Sequence, residues 1–89
     1  MNDDIDTPAN ASWEVDQHLD VKGLDCPLPI LRTKLALSKM MGGEVLHVEA
    51  TDPHSVIDFQ AFCDRTAHEL LRMDRGEALF QFFIRRAEK

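Results

Sequence analysis

Residues 19–29 read Leu-Asp-Val-Lys-Gly-Leu-Asp-Cys-Pro-Leu-Pro, and they predict a strand, a turn and the start of a helix in direct succession. Leu19 and Val21 alternate with polar residues, which is typical of a short strand, and Gly23 ends it. Both prolines of the stretch follow Cys26, and a helix start tolerates prolines because its first N–H groups have no partner inside the helix. The stretch therefore predicts that Cys26 lies between a strand and a helix N-terminus.

The rest of the chain has the pattern of two helices and three more strands. The predicted elements are a helix from about 28 to 41, a strand over 44–50, a helix from 55 to about 70, and strands over 71–73 and 79–86. Gly42-Gly43 supplies a stop for the first helix, and Ser55-x-x-Asp58 resembles a capping box that starts the second. A strand–helix–strand crossover implies a parallel pair, and the last two strands form a hairpin. The order βαβαββ predicts an α/β fold, a two-layer sandwich of two helices on a mixed four-stranded sheet.

The charge is distributed unevenly along the chain. Of a net charge of −6, residues 1–16 carry five acids and no base, whereas the rest carries 11 acids and 10 bases. We interpret 1–16 as a flexible acidic leader and 17–89 as a single domain, and we expect Trp13 of the leader to pack onto that domain.

The composition also excludes several classes of protein. The longest apolar stretches fall far short of the roughly 18 to 20 residues that a membrane span needs, so we expect no membrane insertion. The N-terminus lacks the basic start and apolar core of a secretory signal, which favours a cytoplasmic location. Lys and Arg are not clustered as in proteins that bind a phosphate backbone, so we expect no direct nucleic-acid partner. The four histidines have no zinc-ligand spacing, so the sequence predicts no metal site.

The predicted position of Cys26 favours a reactive thiol. A helix N-terminus exposes unpaired N–H groups and partial positive charge, which stabilise a thiolate and lower the pKa of a cysteine. The neighbouring Asp25 opposes this effect, because a carboxylate disfavours a second negative charge. From these residues alone, a reactive thiol and a cysteine that merely fills space remain equally open.

A wider pattern around the cysteine resembles the TusA/SirA-like family. The resemblance is carried by Leu19-Asp20-x-x-Gly23-Leu24-x-Cys26-Pro27-x-Pro29, followed in register by Asp52-Pro53, Phe62-Cys63, His68-Glu69-Leu70 and Ile84-Arg85. It covers residues 18–86, and the C-P-x-P motif of that family marks a sulfur-carrying cysteine.

The resemblance implies a βαβαββ sandwich and a persulfide on Cys26. Members accept sulfane sulfur from a protein donor, typically a cysteine desulfurase, and pass it to the thiol of an acceptor protein without a cofactor. The chain departs from the members that serve tRNA thiolation at Asp25, where they have a base, and at Leu28, where they have an acid. These departures affect the partner and the pathway, not the thiol.

Cys63 is predicted to be structural. Helical spacing groups it with Val56, Phe59, Ala67 and Leu70 on the face that packs against the sheet. Buried cysteines commonly behave as inert small hydrophobes. The alternative is a resolving thiol that forms a disulfide with Cys26, as in a thiol-disulfide redox protein. A non-catalytic regulatory or interaction module, with Cys26 only structural, is a further alternative.

The first predicted helix has two apolar stripes. Ile30, Thr33, Leu37 and Met40/Met41 match a core-facing stripe, and Leu28, Leu31 and Leu35 form a second, roughly opposite stripe. The second stripe is either covered by the leader or the other helix, or it contacts a partner beside Cys26. In the latter case Leu28, Leu31, Arg32 and Leu35 form the partner surface, with Arg32 at its polar rim.

Overall fold

The computed structural model describes residues 13–88 and contains the six elements in the predicted order. They are β1 (Gln17–Val21), α1 (Leu28–Ser38), β2 (Val45–Ala50), α2 (Ser55–Arg65), β3 (Glu69–Arg75) and β4 (Phe80–Arg85). The strands form one sheet in the order β1-β2-β4-β3, and both helices pack against it. The predicted two-layer α/β sandwich with a mixed four-stranded sheet is confirmed.

The strand pairing brings two distant loops together. β1 and β2 run parallel with Val21 opposite Ala50, whereas β4 runs antiparallel to β2 and to β3. Parallel neighbours end at the same edge of a sheet. The loop after β1, which contains Cys26, therefore lies beside the loop after β2.

The core lies between the helices and one face of the sheet. Phe59 of α2 stacks on Phe82 of β4 with ring centroids 4.2 Å apart. Each fully buried side chain of this size contributes about 1.5–3 kcal/mol. The buried cluster comprises Val21, Ile30, Leu37, Met40, Leu46, Val48, Ala50, Val56, Phe59, Phe80, Phe82 and Ile84.

α1 ends at Ser38, earlier than the predicted residue 41. The N–H groups of Met40 and Glu44 donate to carbonyls three residues earlier, which tightens the chain into turns. Gly43 then adopts a φ of +88°, which only glycine takes readily. As a result Met40 stays in the core while Met41 is 73% exposed, so the prediction that Met41 shares the core stripe is wrong.

α2 ends at Arg65, and the prediction that it reaches Leu70 is wrong. The hydroxyl of Thr66 donates to the carbonyl of Phe62 at 2.8 Å and accepts from the N–H of His68 at 3.3 Å. The Thr66 side chain thus closes the helix and lets β3 begin at Glu69.

The predicted capping box at the start of α2 is also wrong. Ser55 lies inside the helix, and its hydroxyl is buried without a hydrogen-bond partner among residues 13–88. Asp58, the other member of the predicted box, instead turns toward Cys26.

Two residues at the end of the predicted leader contact the sheet, Trp13 on its helix-free side and Asp16 beside the first residue of β2. The Trp13 ring packs against Phe83 with centroids 5.4 Å apart, and Asp16 and Val45 exchange hydrogen bonds of 2.8 and 2.9 Å. The remainder of the leader, residues 1–12, lies outside the described range. Within residues 13–88 no helix is long and apolar enough to cross a bilayer.

Candidate functional site

Cys26 lies in the loop that joins β1 to α1, and its side chain is exposed. Gly23 turns the chain with a φ of +84°, and its N–H donates to the Thr51 hydroxyl at 2.9 Å. The N–H of Leu28 donates to the carbonyl of Asp25 at 2.8 Å. Pro27 precedes the first residue of α1 and is joined to Cys26 by a cis peptide bond. Cys26 therefore stands just ahead of the helix, as predicted.

Asp52 joins this loop to the loop after β2. Its Oδ2 accepts the backbone N–H of Cys26 at 2.6 Å, and its Oδ1 accepts the backbone N–H of His54 at 3.1 Å. A carboxylate that accepts two backbone N–H groups makes charge-assisted hydrogen bonds, which are stronger than neutral ones. Asp52 therefore fixes the position of Cys26 relative to the start of α2.

The thiol of Cys26 donates a hydrogen bond to a carboxylate. Its Sγ lies 3.3 Å from Oδ2 of Asp58, in the first turn of α2. This hydrogen bond is the largest cause that raises the pKa of Cys26, followed by desolvation and by the negative charges of Asp58 and Asp52.

The prediction of a lowered pKa for Cys26 is therefore wrong. The helix N-terminus is present, but the thiol faces two carboxylates that the fold brings in from distant positions. The carboxylates responsible are Asp58 and Asp52, not the sequence neighbour Asp25 that was expected to oppose the effect of the helix N-terminus.

An open cleft of about 300 Å³ adjoins the thiol. It lies between α1 and α2, and it contains both apolar surface and positive charge. The ammonium of Lys34 lies 5.7 Å above the ring centroid of Phe62 on its wall. The lining residues are Cys26, Pro27, Ile30, Lys34, Asp58, Ala61, Phe62, Arg65 and Thr66. The cleft can admit the side chain of another protein directly beside Sγ.

His54 completes a cluster around the thiol. Its Nδ1 lies 3.5 Å from the carboxylate of Asp58, and donor atoms of Cys26, His54 and Asp58 all lie within 4.8 Å of one another. Sequence reasoning missed Asp52, His54 and Asp58 as site residues. The available signal was the predicted parallel pair β1–β2, which requires the loops after these strands to be neighbours.

Cys63 has a different environment. It lies on α2, partly buried and packed against the core, and burial raises its pKa to about 11, with a smaller contribution from the charge of Asp64. It borders a separate cleft with His68 and Leu70. Ala67, grouped with it from helical spacing, is exposed and lies beyond the end of α2. Both cysteines are free thiols.

Of the other predicted motif residues, some pack in the core and some are exposed to solvent. Pro29 is buried and Leu24 packs against the core, whereas Gly23, Asp25 and Pro27 are exposed.

The second stripe of α1 is exposed. Leu28, Leu31 and Leu35 are 43%, 49% and 55% exposed, and Arg32 beside them is also exposed. Leu35 and Arg32 border a groove of about 430 Å³ between α1 and β1. Within residues 13–88, α2 does not cover this stripe.

Comparisons with known proteins agree with the motif and the fold. A family model described as Sulfurtransferase TusA matches residues 17–86. The Sulfur carrier protein TusA of Allochromatium vinosum is 50% identical over 74 residues, which are 83% of this chain and 97% of that protein. The crystal structure of the SirA-like protein from Desulfitobacterium hafniense, 22% identical, matches with a TM-score of 0.70 over 82% of this chain and 100% of its own, and supports the same fold. The chain therefore belongs to the TusA family, as its motif predicted.

Proposed function

We propose that this protein carries sulfane sulfur as a persulfide on Cys26 and passes it to the thiol of another protein. The observation that carries the proposal is the exposed Sγ at the rim of an open cleft, on a loop fixed by Asp52. Support also comes from the relative of A. vinosum, which is half identical and is named a sulfur carrier protein.

Loading needs one nucleophilic step. The Cys26 thiol gives its proton to the Asp58 carboxylate, which lies 3.3 Å away, and the thiolate attacks the terminal sulfur of the donor's persulfide. As the new S–S bond forms, the S–S bond of the donor breaks, and the inner sulfur of the donor leaves as a thiolate that takes up a proton. The sulfane sulfur has then moved from one thiol to another without net oxidation or reduction.

Unloading is the same exchange in the opposite direction. An acceptor thiolate attacks the outer sulfur of the Cys26 persulfide, and Cys26 leaves as a thiolate. The outer sulfur stands about 2 Å further from the backbone than Sγ, the length of one S–S bond. The cleft beside Sγ is open to solvent, so an acceptor can reach that sulfur without a change in the fold.

Asp58 gives the empty carrier a protective state. A thiolate, not a thiol, is the form of cysteine that is oxidised or alkylated. Because the carboxylate of Asp58 raises the pKa of Cys26, the unloaded protein holds a smaller fraction of thiolate at neutral pH.

The partner surface is proposed to be the exposed stripe of α1. Its leucines begin two residues after Cys26 and continue along the helix beside the groove between α1 and β1. Interface cores use such apolar anchors, and Arg32 supplies charge at the rim. The donor is of the cysteine desulfurase type and the acceptor is a protein thiol.

The test is the intact mass of the protein after incubation with a cysteine desulfurase and cysteine. We expect a gain of one sulfur atom that a thiol reductant removes, and no gain in Cys26→Ser. Cys63→Ala is the matched control and should load like the wild type. Sulfur loading that persists in Cys26→Ser would falsify the proposal.

The same samples address the redox alternative. In a thiol-disulfide redox protein, mild oxidation would join Cys26 and Cys63 of the same chain in a disulfide, so both free thiols would be lost together. The two cysteines border different clefts, and a carrier retains the Cys63 thiol under these conditions. A thiol count before and after oxidation, with Cys63→Ala alongside, separates the two functions.

A further inference from the structure

Three different metal-binding groups converge around the thiol of Cys26. Cys26 offers a sulfur, His54 an imidazole nitrogen and Asp58 a carboxylate oxygen, and the three atoms lie within 4.8 Å of one another. His54 and Asp58 follow Cys26 by 28 and 32 residues in the sequence. This spacing does not match a metal-binding sequence motif. The parallel pairing of β1 and β2 brings the three residues together.

Two of the three distances between these atoms fit a tetrahedral zinc ion. Zinc binds sulfur at about 2.3 Å and nitrogen or oxygen at about 2.0–2.2 Å, so two such ligands at tetrahedral angles stand roughly 3.3–3.6 Å apart. Oδ2 of Asp58 lies 3.3 Å from Sγ of Cys26 and 3.5 Å from Nδ1 of His54. Sγ of Cys26 and the imidazole nitrogen of His54 lie within 4.8 Å of each other, so these two atoms have to come closer when all three groups bind one ion.

The surroundings favour a cation and hold the ligands in place. Asp52 adds a second negative charge near Sγ, and its two oxygens accept the backbone N–H groups of Cys26 and His54. One carboxylate therefore holds the backbones of two of the three ligand residues. Groups behind the ligands of a metal site tune its affinity.

A second cluster in the described part of the chain is less suited to a metal. It consists of His18, His47 and Glu49 on the helix-free face of the sheet. The ammonium of Lys22 already lies 3.2 Å from the Glu49 carboxylate, and Nε2 of the buried His47 is paired with Gln81 at 2.8 Å. A cation there would have to displace a lysine and break a partly buried hydrogen bond.

We propose that Cys26, His54 and Asp58 form a zinc-binding site on the unloaded protein. Binding replaces the thiol proton with the metal, and the fourth position of the ion stays open to water or to a partner's ligand, as in three-ligand zinc sites. A bound ion takes one lone pair of Sγ and reduces the nucleophilicity of the sulfur. Zinc binding should therefore slow sulfur loading, a property that goes beyond the proposed function.

The experiment titrates the full-length reduced protein with Co²⁺ as a coloured substitute for zinc. We expect a sulfur-to-metal charge-transfer band that saturates at one ion per chain and disappears when Zn²⁺ is added. Cys26→Ser should abolish the band. His54→Ala and Asp58→Asn should each weaken Co²⁺ binding at least about 10-fold, and Asp52→Asn about 10-fold through the lost support.

Controls separate this site from other sources of binding. Cys63→Ala and His18→Ala should retain the wild-type band and affinity, and a thermal melt of each variant checks that it is folded. The proposal is overturned if the wild type has no band, if a band persists in Cys26→Ser, or if either His54→Ala or Asp58→Asn binds as tightly as the wild type. Sulfur loading is measured without added metal, so failure of the zinc site leaves the persulfide proposal intact.

Discussion

Cys26 and Cys63 both have a raised pKa, but for different reasons. At Cys26 the main cause is a hydrogen bond to the Asp58 carboxylate, and the side chain is exposed. At Cys63 the main cause is burial beside the core. A charge-based shift changes when a partner or a ligand alters the charges, whereas a burial-based shift lasts as long as the fold. The protein therefore has one thiol whose reactivity can be controlled locally and one whose reactivity is suppressed by packing.

α1 also has an exposed side and a buried side, and a substitution on its buried side gives the largest expected loss of stability. Leu37→Glu should unfold the protein, because Leu37 is 1% exposed and the change buries an unpaired charge that costs several kcal/mol. For Leu31→Glu and Leu35→Glu, the free energy of unfolding should stay within about 0.5 kcal/mol of the wild-type value, because both side chains are about half exposed.

Partner binding is the second measurement that distinguishes the exposed Leu31 and Leu35 from the buried Leu37. In a pull-down with a cysteine desulfurase, Leu31→Glu and Leu35→Glu should lose partner while keeping their fold. If they unfold as readily as Leu37→Glu, both stripes of α1 are buried in solution. If they fold and retain every partner, the docking surface lies elsewhere on the molecule.

The order of the elements was predictable because it depends on local patterns. The alternation around Leu19 and the helical spacing of Ile30, Thr33 and Leu37 are properties of neighbouring residues. The end of α2 was not predictable in this way, since it depends on hydrogen bonds that the Thr66 side chain makes with the backbone.

The site was predictable only in part, for a similar reason. The motif identified Cys26 directly, but its electrostatic partners come from another loop and helix. Asp58 has the sequence position of a capping residue, and only the tertiary fold turns it toward Sγ. The direction of the pKa shift was therefore wrong, although the position of the thiol was right.

Asp58→Asn should make Cys26 more reactive and leave Cys63 unchanged. Removing the carboxylate removes the main cause of the raised pKa, so the pKa of Cys26 falls and its thiolate fraction at neutral pH increases. The measurement is the rate of alkylation of each cysteine against pH, followed by peptide mass. We expect the midpoint for Cys26 to move to lower pH. An unchanged midpoint would mean that Asp58 does not control the thiol in solution.

His54→Ala is the matched control for that measurement. His54 contacts the same carboxylate at 3.5 Å but is not among the groups that shift the pKa of Cys26. The Cys26 midpoint should therefore change much less than in Asp58→Asn. A shift of equal size would assign the effect to the cluster as a whole rather than to the carboxylate.

Cys63→Ala tests the burial-based half of the comparison, and its expected effect is small. The lost packing should cost about 1 kcal/mol, because the side chain is small and only partly buried. The folded protein also holds the Cys63 pKa at about 11, above its ordinary value of 9.0, so the fold favours the neutral thiol. This contribution to stability is fully present below the ordinary value and is lost as the pH rises toward 11. Urea denaturation should therefore show a loss of wild-type stability over that alkaline range that is smaller in Cys63→Ala. Equal pH dependence in the two proteins would show that the Cys63 thiol is as solvated in the folded state as in the unfolded chain.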